Sequence, residues 1–347
     1  MTDFSSQLIR WQKEYGRHDL PWQGESAYRI WLSEIMLQQT QVSTVIPYYL
    51  RFIESFPDIA TLAAATEEQV LAHWSGLGYY ARGRNLHKAA RLIVTNHGGE
   101  FPEQFEQILA LPGIGRSTAA AISALARHER RAILDGNVKR VLARYCGIDG
   151  WTGARKVEEQ LWHQAEQLLP ERDVAIYTQA LMDMGATVCT RSRPRCANCP
   201  VQDNCVALST ERVEQLPSPR PRKAIPKRAT TFLLLKHGSE IMLEKRPSSG
   251  IWGGLWCAPQ VEDAEERGYL LQNDMEILRR IELDAFTHVF THFKLHIQPV
   301  LLELVRKPSR VEQPGNVWLE LNEAMGAAIP SPLRQLLLTL HATQRAG

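Results

Sequence analysis

The sequence predicts a multidomain protein in which an all-α part precedes a smaller α+β part. Apolar residues recur at spacings of three and four up to about residue 205, and strand-like runs appear only beyond about residue 228. A proline-rich, cationic segment separates the two patterns. The length of 347 residues agrees with this division, because it allows about two domains with separate cores.

Residues 1–205 form the predicted helical part. Its amphipathic segments are Tyr28–Gln39, Glu67–Trp74, Ser117–Ala126, Val138–Tyr145 and Val157–Leu168. Proline and glycine residues of the kind that end helices lie between these segments. No run of alternating apolar and polar residues interrupts the pattern, so we expect no strands here.

Residues 206–228 predict a connector. Four prolines alternate there with arginines and lysines, which gives a semi-extended chain with little capacity to bury a core. Two interpretations stay open, a spacer between domains and a belt that follows a polyanion.

Residues 229–347 predict a compact α+β domain. The strand-like runs are Thr230–Lys236, Glu240–Glu244, Thr287–Phe293 and Leu295–Leu302. Helices are expected near Glu276–Glu282 and around Pro332–His341.

Composition and charge exclude several classes of protein. The chain is 44% hydrophobic and 22% charged, which argues against wholesale disorder. No apolar run approaches the ~18 residues that a membrane span needs, and the first residues lack the apolar core of an export signal. We therefore expect a soluble, intracellular protein. The net charge of +2, with its small positive excess in the first 228 residues, permits nucleic-acid binding without requiring it.

Four of the six cysteines fall within 17 residues, at positions Cys189, Cys196, Cys199 and Cys205. In an intracellular chain such a group indicates metal binding before disulfides. Four thiolates can hold a Zn²⁺ ion or a [4Fe–4S] cluster. The group contains a single C-x2-C pair, whereas structural zinc sites usually use two, so the spacing favours the cluster and leaves zinc open.

A glycine-containing turn is predicted in the string LPGIGRST, residues 111–118, between two helical segments. Glycines at 113 and 115 allow a tight hairpin with free N–H groups at the start of the next helix. Such a helix terminus binds phosphate, although an ordinary turn explains the pattern equally well.

Glu34 and Asp135 are the two carboxyls of most chemical interest. On a helix, Glu34 shares an apolar face with Ile30 and Leu37, and a carboxyl that loses solvation there has a raised pKa. It could then act as a general acid near neutral pH, or it could be a helix carboxylate with a local partner. Asp135 precedes a predicted helix, and its position alone indicates an N-cap.

Taken together, these motifs resemble one known group of proteins. The hairpin LPGIGRSTA, the string LDGNVKRVLAR and the four-cysteine loop look like the helix–hairpin–helix DNA glycosylase superfamily. The strings WLSEIMLQQTQV (31–42) and GLGYYARGRNLHKAA (76–90) are similar to the MutY-type family of adenine glycosylases. The string KRPSSGIWGGLWCAPQ (245–260) resembles the Nudix fold, without the acidic box that binds Mg²⁺.

The resemblance implies a fold and an activity. The fold is an all-α helix–hairpin–helix glycosylase domain at 1–205, with a barrel-like part and an iron–sulfur cluster part, and a Nudix-like domain at 229–347. The activity is removal of adenine mispaired with 8-oxoguanine or guanine from duplex DNA during base-excision repair. The four cysteines would ligate a [4Fe–4S] cluster.

The resemblance also assigns roles to residues. Glu34 and Asp135 match the family's catalytic carboxyls, with Ser117 and Asn137 in the same catalytic group. The positions assigned to DNA are Gln38, Gln39, Thr40, Leu77, Tyr79, Gly113, Gly115 and Arg116. The positions assigned to 8-oxoguanine are Phe290, Thr291 and His292, with threonine where bacterial relatives commonly have serine.

Ser117 separates two reaction types. Lyase relatives that resemble endonuclease III carry a lysine nucleophile at this position, and a serine cannot form the Schiff base that leads to strand cleavage. We therefore expect a monofunctional glycosylase. The alternatives are an endonuclease III-like glycosylase/lyase on oxidised pyrimidines, a DNA-binding module without activity, and a Nudix hydrolase.

The expected partner is duplex DNA that contains such mispairs, and the expected state is a monomer. No membrane is expected to be involved, and protein partners stay open. The expected location is the bacterial cytoplasm, with association to the nucleoid through DNA.

Overall fold

The chain divides into two compact units in the computed structural model, which describes residues 3–221, 225–262, 265–290, 292–308 and 315–345. The first unit contains the described residues up to Ala64 and those from Asn85 to 221. The second contains Ala65–Arg84 and the described residues from 225 onward. The boundaries 1–205, 206–228 and 229–347 stay a prediction, and the grouping of Ala65–Arg84 with C-terminal residues is a feature that no sequence pattern indicates.

The first unit is helical, as the periodicity predicts, and contains no strand among its described residues. Its helices are α1 (Phe4–Tyr15), α2 (Ala27–Leu37), α3 (Val42–Ser55), α4 (Ile59–Ala64), most of α6 (Ala81–His97), α7 (Phe105–Leu109), α8 (Arg116–Arg127), α9 (Gly136–Tyr145), α10 (Arg155–Gln167), α11 (Val174–Thr187) and α12 (Val206–Ser209). Helix α5 (Glu67–Trp74) and the first turn of α6 belong to the second unit. None of the described helices is long and apolar enough to cross a bilayer.

Helices α2 and α9 carry the two carboxyls, and each has a local reason to begin where it does. Ser26 caps α2, since its hydroxyl accepts the N–H of Arg29, and the apolar face of α2 packs against α3 and α8. Asp135 caps α9, as its position predicts. Helix α9 packs against α10, α11 and α12, and its buried face belongs to the apolar core shared with α1 and α8.

Residues 206–221 are part of the first unit and contribute to its core, unlike the semi-extended connector that their composition predicts. Residues 206–209 form α12, and the side chain of Leu216 is only 1% exposed. The Leu216 carbonyl accepts a hydrogen bond from Nε of Arg144 (2.8 Å). Prolines therefore do not prevent this segment from contributing to a core, because Leu216 supplies the apolar side chain.

The second unit contains one mixed sheet. Its strands are β1 (Lys227–His237), β2 (Glu240–Lys245), β3 (Trp256–Cys257), β4 (Gln260–Val261), β5 (Ile277–Glu282), β6 (Phe286–Val289), β7 (Lys294–Leu304) and β8 (Asn316–Glu320). Strand β1 pairs with β7 in parallel, from Lys227 opposite Lys294 to Lys236 opposite Glu303, and all other pairs are antiparallel. Three helices complete the unit: α13 (Glu266–Gln272), α14 (Leu321–Gly326) and α15 (Ser331–Arg345).

The prediction of a helix near Glu276–Glu282 is wrong, because Ile277–Glu282 form strand β5, which pairs with β7. Ile277 and Ile281 are four residues apart, a spacing that places two side chains on one face of a helix and also on one face of a strand. Both isoleucines are half-buried, and the ladder with β7 decides between the two possibilities. The nearby helix is α13 instead.

Candidate active site

Glu34 lies in α2, and its carboxyl is strongly desolvated. Although the residue keeps some accessible surface, burial and, to a lesser extent, the charge of Asp135 raise the pKa of Glu34 from 4.5 to about 8. No described residue donates a hydrogen bond to this carboxyl. At neutral pH the Glu34 carboxyl is therefore protonated and available to a ligand.

Asp135 is also desolvated, but several groups favour its ionised form. Burial raises the pKa of Asp135, while backbone N–H groups of Val138 and Asn137 and the charges of Arg140 and Lys139 lower it. Among these groups, the backbone N–H of Val138 donates to Asp135 Oδ1 at 2.7 Å. Glu34 has no such stabilising groups, so burial and the charge of Asp135 both favour its protonated form.

Ser117 and Asn137 form hydrogen bonds that position the backbone next to Asp135. The Ser117 hydroxyl accepts the backbone N–H of Leu134 (2.9 Å), the residue before Asp135. The Asn137 side-chain oxygen accepts a hydrogen bond from Nη2 of Arg140 (2.8 Å). These bonds fix the chain on both sides of the Asp135 carboxyl.

The hairpin between α7 and α8 has the geometry that its glycines predict. Gly113 has φ = 81°, and a Cβ there would lie 2.9 Å from Cβ of Asn85, so glycine is required. Gly115 caps the N-terminus of α8. Arg116, the first residue of α8, stacks over Trp162 at 3.8 Å and pairs with Glu166, leaving its side chain half exposed.

The end of α2 lies against this hairpin. The amide nitrogen of Gln38 is 3.5 Å from both the Gly113 carbonyl and the Thr118 hydroxyl. Gln39 follows in the left-handed region (φ = 58°) with an exposed side chain, and the Thr40 hydroxyl donates to the Gln38 carbonyl (3.4 Å). A non-glycine residue in this conformation is strained, and strain of this kind concentrates at functional sites.

Leu77 and Tyr79 lie in the second unit, in the loop between α5 and α6. Tyr79 is 47% exposed and has φ = 49°, whereas Leu77 is only 6% exposed. Arg82 donates from Nη2 to the carbonyls of Leu77 (3.4 Å) and Gly78 (3.3 Å), and its guanidinium lies 5.4 Å from the Tyr79 ring. Nε1 of Trp74 also donates to the Gly78 carbonyl (3.2 Å).

Phe290 and His292 also lie in the second unit, at the turn between β6 and β7. The backbone N–H of Phe290 donates to the carbonyl of Phe293 (2.9 Å), and the two rings stack with centroids 4.6 Å apart. Trp252 contacts the Phe290 ring at 5.3 Å, and His292 is exposed. Thr291 lies outside the described residues.

The four predicted metal-binding cysteines line one cavity of the first unit. Burial raises the pKa of Cys199 to about 12, so its thiolate needs a cation nearby. Nη1 of Arg144 donates to Sγ of Cys189 (3.4 Å). Among the described residues, no three Cys, His, Asp or Glu side chains converge closely enough to hold a single metal ion.

Arg140 and Arg144 are site residues that the sequence reasoning missed. From α9, Arg140 donates to the carbonyls of Gly185 (2.6 Å) and Cys189 (2.8 Å), and Arg144 donates to that of Thr190 (2.7 Å). The helix that begins at Asp135 is thus bonded to the start of the cysteine loop. The spacing of four between the two arginines was the available signal, but it is equally typical of an exposed helix face.

Comparisons with known proteins agree with this fold. Residues 32–167 match the family model described as HhH-GPD superfamily base excision DNA repair protein, and residues 230–339 match the model of the NUDIX domain. The protein is thus a helix–hairpin–helix glycosylase of base-excision repair, an enzyme that hydrolyses N-glycosyl bonds. More narrowly, the chain belongs to the adenine DNA glycosylase family.

The relatives span nearly the whole chain. The adenine DNA glycosylase of Buchnera aphidicola subsp. Acyrthosiphon pisum is 38% identical and covers 96% of both chains. The mouse adenine DNA glycosylase is 35% identical and covers 97% of this chain and 77% of its own. Among solved structures, a thermostable thymine-DNA glycosylase is similar with a TM-score of 0.54 and 28% identity, over 60% of this chain and 95% of the other.

Proposed function

We propose that the enzyme removes adenine mispaired with 8-oxoguanine or guanine from duplex DNA, by hydrolysis and without strand cleavage. The observation that carries this proposal is a pair of desolvated carboxyls in unlike surroundings: burial and the charge of Asp135 raise the pKa of Glu34 to about 8, whereas hydrogen bonds and nearby cations partly offset the effect of burial on Asp135. Hydrolysis of a glycosidic bond needs both an acid and an anion. Membership in the adenine DNA glycosylase family indicates that adenine is the nucleobase removed.

The chemistry follows from the two carboxyls. The target nucleotide leaves the helix so that its glycosidic bond can be reached. Glu34 donates its proton to a ring nitrogen of adenine, the bond to the sugar breaks, and the electron pair leaves with the base. The positive charge that grows on the sugar is stabilised by the Asp135 carboxylate. Water then adds to the sugar and gives its proton to Glu34, which restores the starting state.

The residues around Asp135 support hydrolysis over lyase chemistry. Ser117 has no amine, and its hydroxyl already accepts the N–H of Leu134. Lys139, the lysine nearest Asp135 in sequence, has its ammonium group 2.6 Å from Oε1 of Glu158. A paired ammonium is protonated and a poor nucleophile, so strand cleavage through a Schiff base is not expected.

A single-turnover assay on duplex with adenine opposite 8-oxoguanine tests this proposal, with each sample divided before alkali treatment. We expect strand breaks only in the alkali-treated half, since hydrolysis leaves an intact abasic strand. Breaks in both halves would place the enzyme with the lyases. No breaks in either half, from protein that still binds the duplex, would leave a binding module.

We propose that Phe290, Thr291 and His292, between β6 and β7, recognise 8-oxoguanine as the base opposite the target adenine. The stacked rings of Phe290 and Phe293 and the contact with Trp252 support it, because they make the turn a rigid platform. We also propose that the enzyme is a monomer that acts on the nucleoid in the bacterial cytoplasm.

We further propose that Cys189, Cys196, Cys199 and Cys205 hold a [4Fe–4S] cluster. Four thiols that line one cavity match the four thiolates that hold a [4Fe–4S] cluster, and the single C-x2-C pair among them favours the cluster over a structural Zn²⁺ ion. When bound, the cluster supplies a cross-link between the ends of the cysteine loop. Arg144 supports the assignment, because its hydrogen bond to Cys189 stabilises a thiolate.

Cys199→Ser is expected to lose the bound iron, because a serine hydroxyl is a poor ligand for iron in such clusters. The wild type should contain about four irons per chain and absorb visible light, and the variant should show neither. Cys146→Ser is the matched control, since Cys146 is another partly buried thiol of the first unit outside the cavity. Equal iron content in the Cys199 and Cys146 variants would contradict the assignment.

A further inference from the structure

The loop Ser75–Tyr80, which carries Leu77 and Tyr79, is hydrogen-bonded to the C-terminal end of the chain within the second unit. The Ser75 hydroxyl donates to the carbonyl of Ile329 (2.8 Å), and the Tyr80 hydroxyl donates to the same carbonyl (3.4 Å). Nη2 of Arg334, in α15, donates to the Ser75 hydroxyl (2.9 Å). About 250 residues of sequence separate these partners.

Arg334 connects this loop to a rigid part of the unit. Its Nη2 also donates to the carbonyl of Ala327 (3.1 Å), and its Nη1 donates to that of Met325. Ala328 and Ile329 are fully buried, and the Ala328 carbonyl accepts the N–H of Trp256 in β3 (2.9 Å). The segment that accepts from Ser75 and Tyr80 is therefore itself fixed by the sheet.

The far side of the loop is held as well. Arg82 and Trp74 donate to the carbonyl of Gly78, one residue before Tyr79. Gly76 (φ = 106°) and Gly78 (φ = 73°) have positive φ angles that do not fit a helix or a strand, so the loop has no regular backbone hydrogen-bond pattern to hold it. Side-chain bonds from both sides thus determine where the exposed Tyr79 ring points.

We propose that Arg334 is a positioning residue for Tyr79: by holding Ser75 and the 325–329 segment, it keeps the loop in the conformation that presents the Tyr79 ring to DNA. This inference rests on the proposed function, in which Tyr79 enters or flanks the DNA stack. It gives the C-terminal residues a second role, which acts on every target adenine regardless of the base opposite.

That independence of the opposite base is the measurable signature. Arg334→Ala is expected to slow single-turnover removal of adenine by about tenfold, the effect of losing a charge-assisted hydrogen bond, and by the same factor opposite 8-oxoguanine and opposite guanine. A Phe290→Ala variant, by contrast, should change the ratio of the two rates. Ser75→Ala should resemble Arg334→Ala, and the double variant should be no slower than the slower single one, because both remove the same link.

Two further variants complete the experiment. Arg334→Lys keeps the charge but not the planar fork of donors, so it should restore only part of the rate. Arg306→Ala is the control, because Arg306 is an exposed arginine of the same unit that forms a surface ion pair with Asp274 (3.6 Å). It should leave both rates unchanged.

Hydrogen exchange separates failure of this inference from failure of the proposed function. Amides of residues 75–82 should lose protection in Arg334→Ala, while amides of α2 and α9 keep theirs. Wild-type protein that removes no adenine would refute the proposed function, and the exchange result would still decide whether Arg334 holds the loop. Unchanged exchange at 75–82, or a rate loss confined to 8-oxoguanine, would overturn the positioning role.

Discussion

Glu34→Gln is expected to lower the single-turnover rate of adenine removal by about 10³-fold, within the range for loss of a general acid. Glutamine has nearly the same shape as the protonated carboxyl but no proton to donate to the leaving base. Because the side chain stays neutral, affinity for the duplex should be unchanged. The measurement is the excision rate together with the dissociation constant for the same duplex.

A surface carboxyl provides the control for this variant. Glu54→Gln, on an exposed position of α3, should leave the rate unchanged. A Glu34→Gln protein that binds the duplex and removes adenine at the wild-type rate would show that another group supplies the proton.

The raised pKa of Glu34 also has a consequence for stability. The pKa of Glu34 is about 8 in the folded chain and ordinarily 4.5. As the pH rises, the carboxyl therefore ionises in the unfolded chain before it ionises in the folded chain. Between about pH 4.5 and 8 the wild type therefore loses stability relative to Glu34→Gln as the pH rises, and the difference is constant outside this range. Thermal unfolding of both proteins across this range measures it, and a constant difference throughout would contradict the raised pKa.

Asp135→Asn is expected to lower the excision rate by about 10²–10³-fold, because it removes the anion that stabilises positive charge on the sugar. Asparagine caps helices as well as aspartate, so the hydrogen bond from Val138 and the stability of α9 should survive. The rate loss would then report the charge alone. The negative charge of Asp135 raises the pKa of Glu34 in the wild type, so its loss should lower that pKa.

Another N-cap aspartate makes the matched control. Asp58 accepts the N–H of Thr61 (2.7 Å) near the start of α4, so Asp58→Asn repeats the chemical change at a different helix. Its rate should equal that of the wild type. Unfolding of Asp135→Asn, or a rate within twofold of Asp58→Asn, would contradict an electrostatic role.

The parts of the fold that sequence predicts are those with local causes. The apolar stripe of α2 and the cap at Asp135 depend on residues within one or two turns, and both are found where the pattern places them. The strand β5 was predicted as a helix because its isoleucine spacing fits both structures, and only pairing with β7 decides. Edge strands depend on a partner distant in sequence, which periodicity does not contain.

The candidate site divides in the same way. The apolar surroundings of Glu34 predict a raised pKa, and the structure gives that direction, but the contribution of Asp135 depends on tertiary packing that the sequence does not show. The bonds from Arg140 to Cys189 in the cysteine loop and from Arg334 to Ser75 join residues 49 and 259 positions apart. An arginine on a helix has the same sequence pattern whether it faces solvent or a distant carbonyl, so the pattern does not distinguish these two bonds from an exposed helix face.

The most direct test of the proposed chemistry is the pH dependence of single-turnover adenine removal from duplex with 8-oxoguanine opposite. Since the Glu34 carboxyl must hold a proton to act, the rate should be highest below its pKa and fall tenfold per pH unit above about pH 8. In Asp135→Asn the fall should begin at lower pH. A wild-type rate that stays constant or rises through pH 8 to 10 would show that Glu34 is not the acid.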